Sequence, residues 1–574
     1  MCGIIGIVSK KEFSVRDFLL SGLKRLEYRG YDSWGFATLN GEMFKETGGI
    51  YLINDDITTT SAISHTRWAT NGGVTRKNAH PHSSQDIYVV HNGIIENADL
   101  LRSKLAEEGY DFASETDTET IPHLIHKKIG EGKDMKSVAC ELMNELEGTF
   151  AILIIREHDN RIYALKKDSP LVLGIVFGRF VLSSDVYAFS DVTNQAIFFE
   201  DNEFAIVGAD EYEFYDSQGK KINKEIVTFE WEVQEQTKDE YEHYMLKEIN
   251  EEPVTAERLI QSLRTIQYNR LMGFVNELKN SKRVVFVSCG TSYHASLVGA
   301  FLLNRLGIRS QAVIASEFEN FVDIDSETTV VAISQSGETM DVVVVIKKAA
   351  QMGAKVLSIV NVPYSTIQRH SVASLEIMAG QEICVAATKS FTNQLITLFA
   401  LARQLGYDSF RLSCMPQKIK NTIEKTEENI ISLAQELEHK EHIFVLGRGL
   451  SYPIAREFAL KLKEIPYIHA EGMMGGELKH GTIALIENDT PVISLISNKN
   501  SDMISNTKEV QARGAKTIII SNTNDGDINV EESDDAEFSI YSSIVGHLLS
   551  YHIAKRKQLP IDKPRNLAKS VTVK

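Results

Sequence analysis

Short apolar runs separated by turn residues fill the first part of the chain, and each run is typical of a β-strand. The runs are IIGIV, SAISHT, IYVVHNGII, TFAILII, RFVLSSD, QAIFFE and EFAIVG. Two stretches, residues 14–27 and 95–108, have the pattern of helices, and the second leads into a glycine. This mixture of strands and helices predicts a layered α+β domain over residues 1–225.

A polar, acidic stretch, EWEVQEQTKDEYEHY, follows at 230–244 and has no apolar period of its own. It predicts a linker over residues 226–249. Beyond the linker, short apolar strands alternate with long helical segments, beginning with RVVFVSCG, TTVVAIS and KVLSIVN. That alternation is typical of a parallel, doubly wound sheet.

The second half of the chain contains an internal repeat. CGTSYHA at 289–295 matches RGLSYPI at 448–454, and QMGAKVL at 351–357 matches ARGAKTI at 512–518. Two matches in the same order and at nearly the same offset indicate a duplicated domain. We therefore expect three domains, with the α/β copies at 250–415 and 416–574.

Charge and cysteine content narrow the class of protein. A net charge of −17, from 61 basic and 78 acidic residues, argues against a nucleic-acid or acidic-membrane partner. No apolar run approaches a membrane span, and the opening residues do not form a secretory signal. The cysteines are too widely spaced for a disulfide framework or a zinc site, and they are Cys2, Cys140, Cys289, Cys384 and Cys414. We expect a cytoplasmic protein without a metal.

A loop in the first α/β copy has the composition of a phosphate site. The loop SQSGET carries Ser334, Ser336 and Thr339 around a glycine and opens a helix, whose first amides favour an anion. The alternative is that these hydroxyls only cap the helix. SCGTS at 288–292 is expected to line the same crevice. The second copy has LISNKNSD at 495–502 instead, so we expect one sugar-phosphate site per chain.

Three further stretches admit both a chemical and a structural interpretation. The charged stretch 461–481 includes Lys461 and Glu464, which can share a helix face, but such charges usually lie on a solvated surface. The tail KPRNLAKSVTVK either frays or folds over a site and delivers Lys569. Cys2 follows the initiator methionine, so it either opens a buried strand or, after removal of Met1, has both a thiol and a free α-amine.

Motifs along nearly the whole chain resemble the glutamine–fructose-6-phosphate aminotransferase (isomerizing) family, also called glucosamine-6-phosphate synthases. They are MCGIIG, LEYRGYDS, HTRWAT, NAHPH, HNGIIEN, SETDTE, CGTSY, SQSGET, LKEIPYIHAE, GELKHG and PRNLAKSVTV. The resemblance implies an N-terminal-nucleophile hydrolase domain with αββα layers, followed by two sugar isomerase (SIS) domains with Rossmann-like sheets. It also implies conversion of D-fructose 6-phosphate and L-glutamine to D-glucosamine 6-phosphate and L-glutamate, the first step towards UDP-N-acetylglucosamine, without a cofactor.

For the glutaminase half, the resemblance implies that the Cys2 thiol attacks the glutamine amide, with its own α-amine as general base. Asn92 and the backbone N–H of Gly93 would form the oxyanion hole. The carboxylate of the substrate glutamine would pair with Arg67 and its ammonium with Asp117. Trp68 would gate an ammonia tunnel. The glutamine-binding set is Arg67, Trp68, Thr70, His80 and Asp117.

For the isomerase half, the resemblance implies that Lys569 forms a Schiff base with the sugar C2 carbonyl and that Glu464 moves a proton from C1 to C2. His480 would help open the sugar ring from the neighbouring subunit, which implies a homodimer. Two residues, Glu457 and Lys461, would support Glu464. The sugar-phosphate-binding set is Thr291, Ser292, Ser334, Gln335, Ser336, Thr339, Val385, Ala386 and Ala568.

The sequence departs from the family pattern in a few places. Asn71 stands where a histidine is common, Trp34 where a small residue is usual, and Ala387 where a serine is common. The loop GGVTRK lacks a frequent proline, and the segment between Gly35 and His65 is short. The alternatives are an aminotransferase for another keto-sugar phosphate, a regulator that binds sugar phosphate without turnover, and a phosphoribosyltransferase, which would need a pyrophosphate loop in place of SQSGET.

Overall fold

The computed structural model describes residues 2–51, 53, 57–229, 237–408 and 411–571. The chain divides into two compact units, one of Met1–Glu235 with Ser570–Lys574 and one of Gln236–Lys569. In the described part of the chain, no helix has both the length and the apolarity to cross a bilayer.

The first unit is built mainly of antiparallel strands. Its strands are β1 (Gly3–Ser14), β2 (Ser33–Thr38), β3 (Met43–Thr47), β4 (Thr58–Arg67), β5 (His82–Ser84), β6 (Ile87–Ile95), β7 (Gly148–Arg156), β8 (Asp159–Lys167), β9 (Val172–Val176), β10 (Arg179–Ser183), β11 (Gln195–Phe198), β12 (Glu203–Gly208), β13 (Tyr212–Asp216), β14 (Lys221–Ile222) and β15 (Val227–Thr228). Its α-helices are α1 (Ser21–Arg25), α2 (Ala98–Glu107), α3 (Thr120–Gly130) and α4 (Met135–Glu145).

These strands form two sheets. One has the order β15-β11-β9-β10-β1-β4-β2-β3 and the other β14-β13-β12-β8-β7-β6-β5. Alternate apolar side chains of both sheets, such as Ile4, Ile63 and Leu153, share one core. The other face of the second sheet packs against α2, α3 and α4 through a separate core. All seven apolar runs in the sequence are confirmed as strands.

The second unit contains two parallel sheets and most of the helices. Its helices are α5 (Tyr244–Arg264), α6 (Tyr268–Lys279), α7 (Gly290–Arg305), α8 (Phe318–Phe321), α9 (Met340–Gln351), α10 (Thr366–Arg369), α11 (Lys389–Gln404), α12 (Met415–Leu437), α13 (Ser451–Glu464), α14 (Ser501–Gln511) and α15 (Asp535–Arg556). Its strands are β16 (Arg283–Ser288), β17 (Ser310–Ile314), β18 (Thr328–Ser334), β19 (Lys355–Val360), β20 (Ala373–Glu376), β21 (His442–Gly447), β22 (His469–Met474), β23 (Pro491–Ile496), β24 (Lys516–Ser521) and β25 (Ile528–Asn529).

The two parallel sheets confirm the internal repeat. Their orders, β17-β16-β18-β19-β20 and β22-β21-β23-β24-β25, are the same when each is counted from its own first strand. All described pairings within them are parallel. Helices α5, α11, α12 and α15 pack together and share one large core with both sheets.

Two sequence-based boundaries differ from the structure. The helix predicted over 14–27 begins as a π-helical turn, Val15–Leu20, continues as α1 and ends in a 3₁₀ turn, Glu27–Arg29. The predicted linker 226–249 is too long at both ends, because β15 pairs with β11 and α5 begins at Tyr244. Residues 230–236 of that linker lie outside the described residues.

Candidate active sites

Cys2 lies just before β1, which is an interior strand of the first sheet, and its sulfur accepts a hydrogen bond from the Trp68 backbone N–H at 3.4 Å. The S–H group in turn faces the Trp68 carbonyl at 3.6 Å. Burial raises the pKa of the thiol above its usual value, and the Trp68 amide and the Arg67 guanidinium only partly oppose this. A nearby base is therefore needed before the sulfur can act as a nucleophile.

Asn92 and Gly93 lie on β6, next to Cys2. The Asn92 side-chain amide donates to the Cys2 carbonyl at 3.0 Å, while its Oδ1 is buried without a partner among the described residues. Gly93 has φ +131°, and a Cβ there would lie 1.9 Å from the Thr149 carbonyl oxygen. Only glycine fits this position, because the backbone there lies against Thr149 of the neighbouring strand β7.

The guanidinium of Arg67, at the end of β4, is held by the loop that follows it. It donates to the carbonyls of Gly72 and Gly73 at 3.1 Å each and to that of Asn71. Because Asn71 uses its backbone oxygen, this contact does not depend on the departure from histidine at that position. Burial lowers the pKa of Arg67 from its usual value.

Two residues that the sequence analysis missed fix this loop. Glu115 accepts from the Gly73 amide at 3.2 Å and from the Asn78 side chain at 2.9 Å, and Asn78 also donates to the Gly73 carbonyl at 3.0 Å. These bonds lower the pKa of Glu115, so it stays ionised. Asn78 lies within the NAHPH motif, and Glu115 within SETDTE, so motif membership was the available signal.

The remaining glutamine-binding candidates have different environments. His80 is buried and stacked on His65, with ring centroids 3.9 Å apart. Burial holds the pKa of both imidazoles well below the usual value, so both rings are neutral. Asp117 accepts from the Ile95 amide at 2.8 Å, while Thr70 is exposed on a bend.

Trp34, where the resemblance predicts a small residue, is fully buried in β2. Its ring lies 5.1 Å from that of Phe44 and 5.2 Å from that of Tyr51, measured between centroids. It therefore fills the space beside β3 with aromatic contacts. It acts in packing at this edge of the sheet.

In the second unit, the SQSGET loop connects β18 to α9. The Ser334 hydroxyl accepts from the Gly337 amide at 3.0 Å and lies 3.0 Å from the Thr339 hydroxyl. Gly337 has φ +66°, and a Cβ there would lie 2.0 Å from the Ser365 hydroxyl. Thr339 occupies the N-cap position of α9 but makes no side-chain capping bond to the helix as described. The interpretation of Thr339 as a simple cap is therefore wrong, and its hydroxyl lies at the open end of the helix.

The neighbouring loops come from several distant parts of the chain. Ser292, at the start of α7, accepts from the Gln394 side chain at 3.0 Å. The Val385 amide donates to the Asp562 carbonyl at 3.1 Å, which joins the Val385–Ala386 segment to the tail that continues to Ala568. Gln335 is partly buried in the SQSGET loop.

Lys461 does not lie on a solvated surface, so that interpretation is wrong for it, and Glu457, one turn earlier on α13, is buried beside it. Their side chains are 0% and 1% exposed, and the Lys461 ammonium lies 3.2 Å from Glu457 and 2.6 Å from Glu464. The same ammonium donates to the Thr291 hydroxyl at 3.1 Å, which itself donates to Glu457 at 3.0 Å. Other charged residues of the stretch, Lys463, Glu471, Glu477 and His480, are exposed as expected.

The charges of this cluster stabilise one another. Burial alone would raise the pKa of Glu457, but Lys461 and His294, whose Nδ1 lies 2.7 Å away, lower it to about 2. Burial opposes the charge of Lys461, yet both glutamates raise its pKa. Glu464 is the member of the cluster with the most exposed side chain, at 20%. It is therefore the carboxylate of the cluster that is open to solvent.

Lys569 is delivered into the interior of the second unit by the C-terminal tail. Its side chain is 3% exposed, and its ammonium lies 2.5 Å from the fully buried carboxylate of Glu382. Glu382 also accepts from the Ser390 hydroxyl at 2.7 Å and from the Thr388 amide at 2.9 Å. Of the two interpretations of the tail, folding inward fits the contact of Lys569 with Glu382.

Two glutamates around this lysine were missed by the sequence analysis. Burial would raise the pKa of Glu382, but Lys569 and the hydrogen bonds lower it to about 2. Glu248, on α5, accepts from the Cys384 amide at 3.2 Å and from the Ile383 amide, and burial raises its pKa to about 8 despite Lys389. Both lie far from Lys569 in sequence, and no local signal marks either one.

Comparisons with known proteins find one type of domain for the unit that contains Cys2 and another for the unit that contains Glu464 and Lys569. A glutamine amidotransferase domain model matches residues 65–191, and a SIS domain model matches residues 277–403 and 436–552. The fold and the matches define a glutamine amidotransferase domain joined to a pair of SIS domains, which confirms the expected pair of SIS domains.

Full-length relatives specify the family. The chain is 40% identical over 598 residues to glutamine–fructose-6-phosphate aminotransferase (isomerizing) of Methanothermobacter thermautotrophicus, and 41% over 607 residues to that of Thermococcus kodakarensis; each alignment covers 100% of both proteins. A solved C-terminal domain of glucosamine-fructose-6-phosphate aminotransferase from Francisella tularensis is 33% identical, with TM-score 0.51, and covers 57% of this chain and 100% of that one. The chain belongs to the glutamine–fructose-6-phosphate aminotransferase (isomerizing) family, a family of enzymes.

Proposed function

We propose that this protein converts D-fructose 6-phosphate and L-glutamine to D-glucosamine 6-phosphate and L-glutamate, the first step of amino-sugar synthesis towards UDP-N-acetylglucosamine. The observation that most supports this is the tail lysine, Lys569, buried in a unit that also contains the hydroxyl-rich SQSGET loop. A lysine that can form a Schiff base, in a unit with a phosphate-binding loop, suits a keto-sugar phosphate. The names of the full-length relatives support the same substrates.

In the glutaminase domain, removal of Met1 gives Cys2 a free α-amine that takes the thiol proton. The sulfur then attacks the glutamine amide carbon, and the tetrahedral oxyanion is bound by the Asn92 amide and the Gly93 N–H. Collapse of this intermediate releases ammonia and leaves a thioester, which water hydrolyses to glutamate. The substrate carboxylate pairs with Arg67 and its ammonium with Asp117, while Trp68, Thr70 and His80 complete the pocket.

In the SIS domains, the phosphate binds the SQSGET hydroxyls, and His480 helps open the ring. The Lys569 amine adds to C2 and water leaves, which gives a Schiff base. Ammonia then adds to C2 and displaces the lysine. Glu464 takes a proton from C1 and returns it to C2, so that the ketose skeleton becomes an aldose. Lys461 and Glu457 hold Glu464 in place through the contacts described above.

The architecture extends this proposal. We assign residues 1–225 to an N-terminal-nucleophile hydrolase fold, 250–415 and 416–574 to the two SIS domains, and Trp68 to the gate of an ammonia tunnel. A sealed path would keep ammonia neutral and therefore nucleophilic. The two stacked sheets with helices on the outer face of one of them support the first assignment.

We further propose a cytoplasmic homodimer in which His480 completes the site of the partner. His480 ends an exposed 3₁₀ turn, Glu477–His480, and the nearby Met474 and Leu485 side chains are 51% and 63% exposed. Exposed apolar side chains beside the histidine suit contact with a second copy. The cysteines within the described chain are free thiols, as expected in a reducing compartment.

One reaction tests the proposal. Purified protein is mixed with glutamine and fructose 6-phosphate, and glutamate and glucosamine 6-phosphate are followed by mass spectrometry. Equal amounts of both products are expected. Glutamate without amino sugar would contradict the fructose 6-phosphate assignment, and a panel of other keto-sugar phosphates would then be assayed because Ala387 removes a hydroxyl near the predicted sugar wall.

A further inference from the structure

A cavity lies at the carboxyl ends of β21 and β23, in the second SIS copy. Its volume is about 280 Å³. The polar and charged residues that line it are Arg305, Arg448, Ser451, Ser497, Asn500 and Asp535. Phe301, from α7 of the first copy, closes one side, so the cavity lies between the two copies.

The position of this cavity corresponds to the phosphate crevice of the first copy. In each sheet the strand order reverses between the first and third strands, and ligands of open α/β sheets bind at that point. Gly449 has φ +57° and its repeat counterpart Gly290 has φ +54°. The two loops therefore leave their strands in the same left-handed conformation, and Ser451 takes the place of Ser292.

The Ser451 hydroxyl has no hydrogen-bond partner among the described residues. The residue is 4% exposed and lines the cavity, yet no hydrogen bond to its Oγ is made by any described residue. Its counterpart, Ser292, instead accepts a bond from Gln394. Because the residue lines the cavity, its hydroxyl is available to bond to a ligand or to water there.

The charges around the cavity suit an anion that also carries hydroxyl groups. The Arg448 guanidinium pairs with Asp502 at 3.0 Å, but both side chains are about half exposed and the pair can exchange for a ligand. Asp535 uses one oxygen, Oδ1, to accept from Ser497 at 2.6 Å and from Asn498 at 2.8 Å. Helices α13 and α14 both begin at this edge and direct their positive ends towards it.

We propose that this cavity is a second binding site for a phosphorylated sugar, distinct from the SQSGET site. The phosphate pairs with Arg448, and the sugar hydroxyls bond to Ser451 and to the free oxygen of Asp535. The sequence predicts one such site per chain, because LISNKNSD lacks the hydroxyl pattern of SQSGET. In the second copy, Arg448 binds the phosphate. In the first copy, the hydroxyls and backbone amides of the SQSGET loop bind it.

Equilibrium dialysis of radiolabelled fructose 6-phosphate against the full-length protein, up to about 10 mM ligand, tests the proposal. Two molecules per chain are expected. Arg448→Ala and Ser451→Leu should each remove one of them, while Arg513→Ala, an exposed arginine of the same copy, should leave both. Thermal unfolding of each variant checks that the fold is kept.

The double variant Ser336→Ala/Thr339→Val separates the two sites. It should abolish binding at the first site and leave one molecule, which Arg448→Ala then removes. One molecule per chain in the unaltered protein, or no effect of Arg448→Ala, would overturn the second site. Inorganic phosphate binding there as tightly as the sugar phosphate would overturn its assignment to a sugar. If the double variant loses nothing while Arg448→Ala loses one molecule, the second site stands and the proposed function fails.

Discussion

The Lys569 ammonium lies 2.5 Å from the Glu382 carboxylate, and the two side chains are 3% and 0% exposed. This ion pair attaches the C-terminal tail to the first SIS copy at one point. An isolated charge at that depth would be strongly unfavourable, so each group depends on the other. The pair thus sets the position of the amine that we propose reacts with the sugar.

Lys569→Ala should abolish amino-sugar formation while glutamine hydrolysis continues. The amine that forms the Schiff base is gone, but the glutaminase domain keeps all of its groups. Glutamate and glucosamine 6-phosphate are measured in the same reaction. Lys563→Ala, at an exposed lysine of the same tail, is the control and should retain synthesis. Synthesis by the Lys569 variant would remove the Schiff base from the mechanism.

Glu382→Gln should slow amino-sugar formation without slowing glutamine hydrolysis. Glutamine keeps an oxygen for Ser390 and Thr388 but leaves Lys569 without its counter-ion. Breaking a buried ion pair costs about 3–5 kcal/mol, so we expect synthesis to fall about tenfold or more. Glu376→Gln, which alters a partly exposed pair with Arg270, is the matched control. Equal rates in the two variants would show that Glu382 does not position the lysine.

Cys2→Ala should abolish glutamine use and leave synthesis from added ammonia. The thiol is the only group lost, and the SIS domains do not depend on it. Amino sugar is measured with either glutamine or an ammonium salt at alkaline pH, where more ammonia is neutral. Residual glutamine hydrolysis by this variant would mean that another group is the nucleophile.

Arg67→Lys should weaken glutamine binding more than it slows turnover. Lysine keeps the charge but lacks the planar fork that contacts several oxygens at once. It also cannot hold the carbonyls of Asn71, Gly72 and Gly73 together. We expect KM for glutamine to rise about tenfold or more, as for a lost charge-assisted bond of about 1.5–3 kcal/mol. Arg76→Lys, at an exposed arginine of the same loop region, should leave KM unchanged.

Local patterns in the sequence identified the strands and one side-chain pair well. Alternating apolar residues face a core and therefore remain visible as strands, and the three-residue spacing of Lys461 and Glu464 brings them within 2.6 Å on α13. The start of α5 could not be predicted this way. The Asp562 carboxylate, more than 300 residues later, accepts from the amides of Tyr244 and Met245 and caps the helix.

A buried ion pair and a buried hydrogen bond of the second unit show the same limit. Glu382 and Lys569 are 187 residues apart, and Thr291 and Glu457 are 166 apart. Neither spacing leaves a periodic signal, because burial and pairing are decided by how distant elements pack. The motifs CGTSY and PRNLAKSVTV located Thr291 and Lys569, and the family resemblance implied Glu457, but Glu382 became visible only through its contacts.

The buried pair of Glu457 and Lys461 should make stability depend on pH in the acid range. The pKa of Glu457 is about 2 in the folded protein, below the value near 4.3 of an unfolded glutamate. A carboxyl with a depressed folded pKa stabilises the fold fully above its unfolded pKa, and that contribution disappears as pH falls towards 2. The expected contribution is about 3 kcal/mol at neutral pH.

Glu457→Gln removes this titration, so the variant should melt well below the unaltered protein at pH 7. The difference in melting temperature should stay constant down to about pH 5 and shrink from about pH 4.3 towards pH 2, because in this range the carboxyl of the unfolded chain gains a proton while the folded carboxylate stays ionised. Differential scanning calorimetry at several pH values measures it. Glu424→Gln, at an exposed glutamate of α12, controls for the general effect of acid. A difference that does not change with pH would show that Glu457 stabilises the fold by packing and neutral hydrogen bonds, not by its charge.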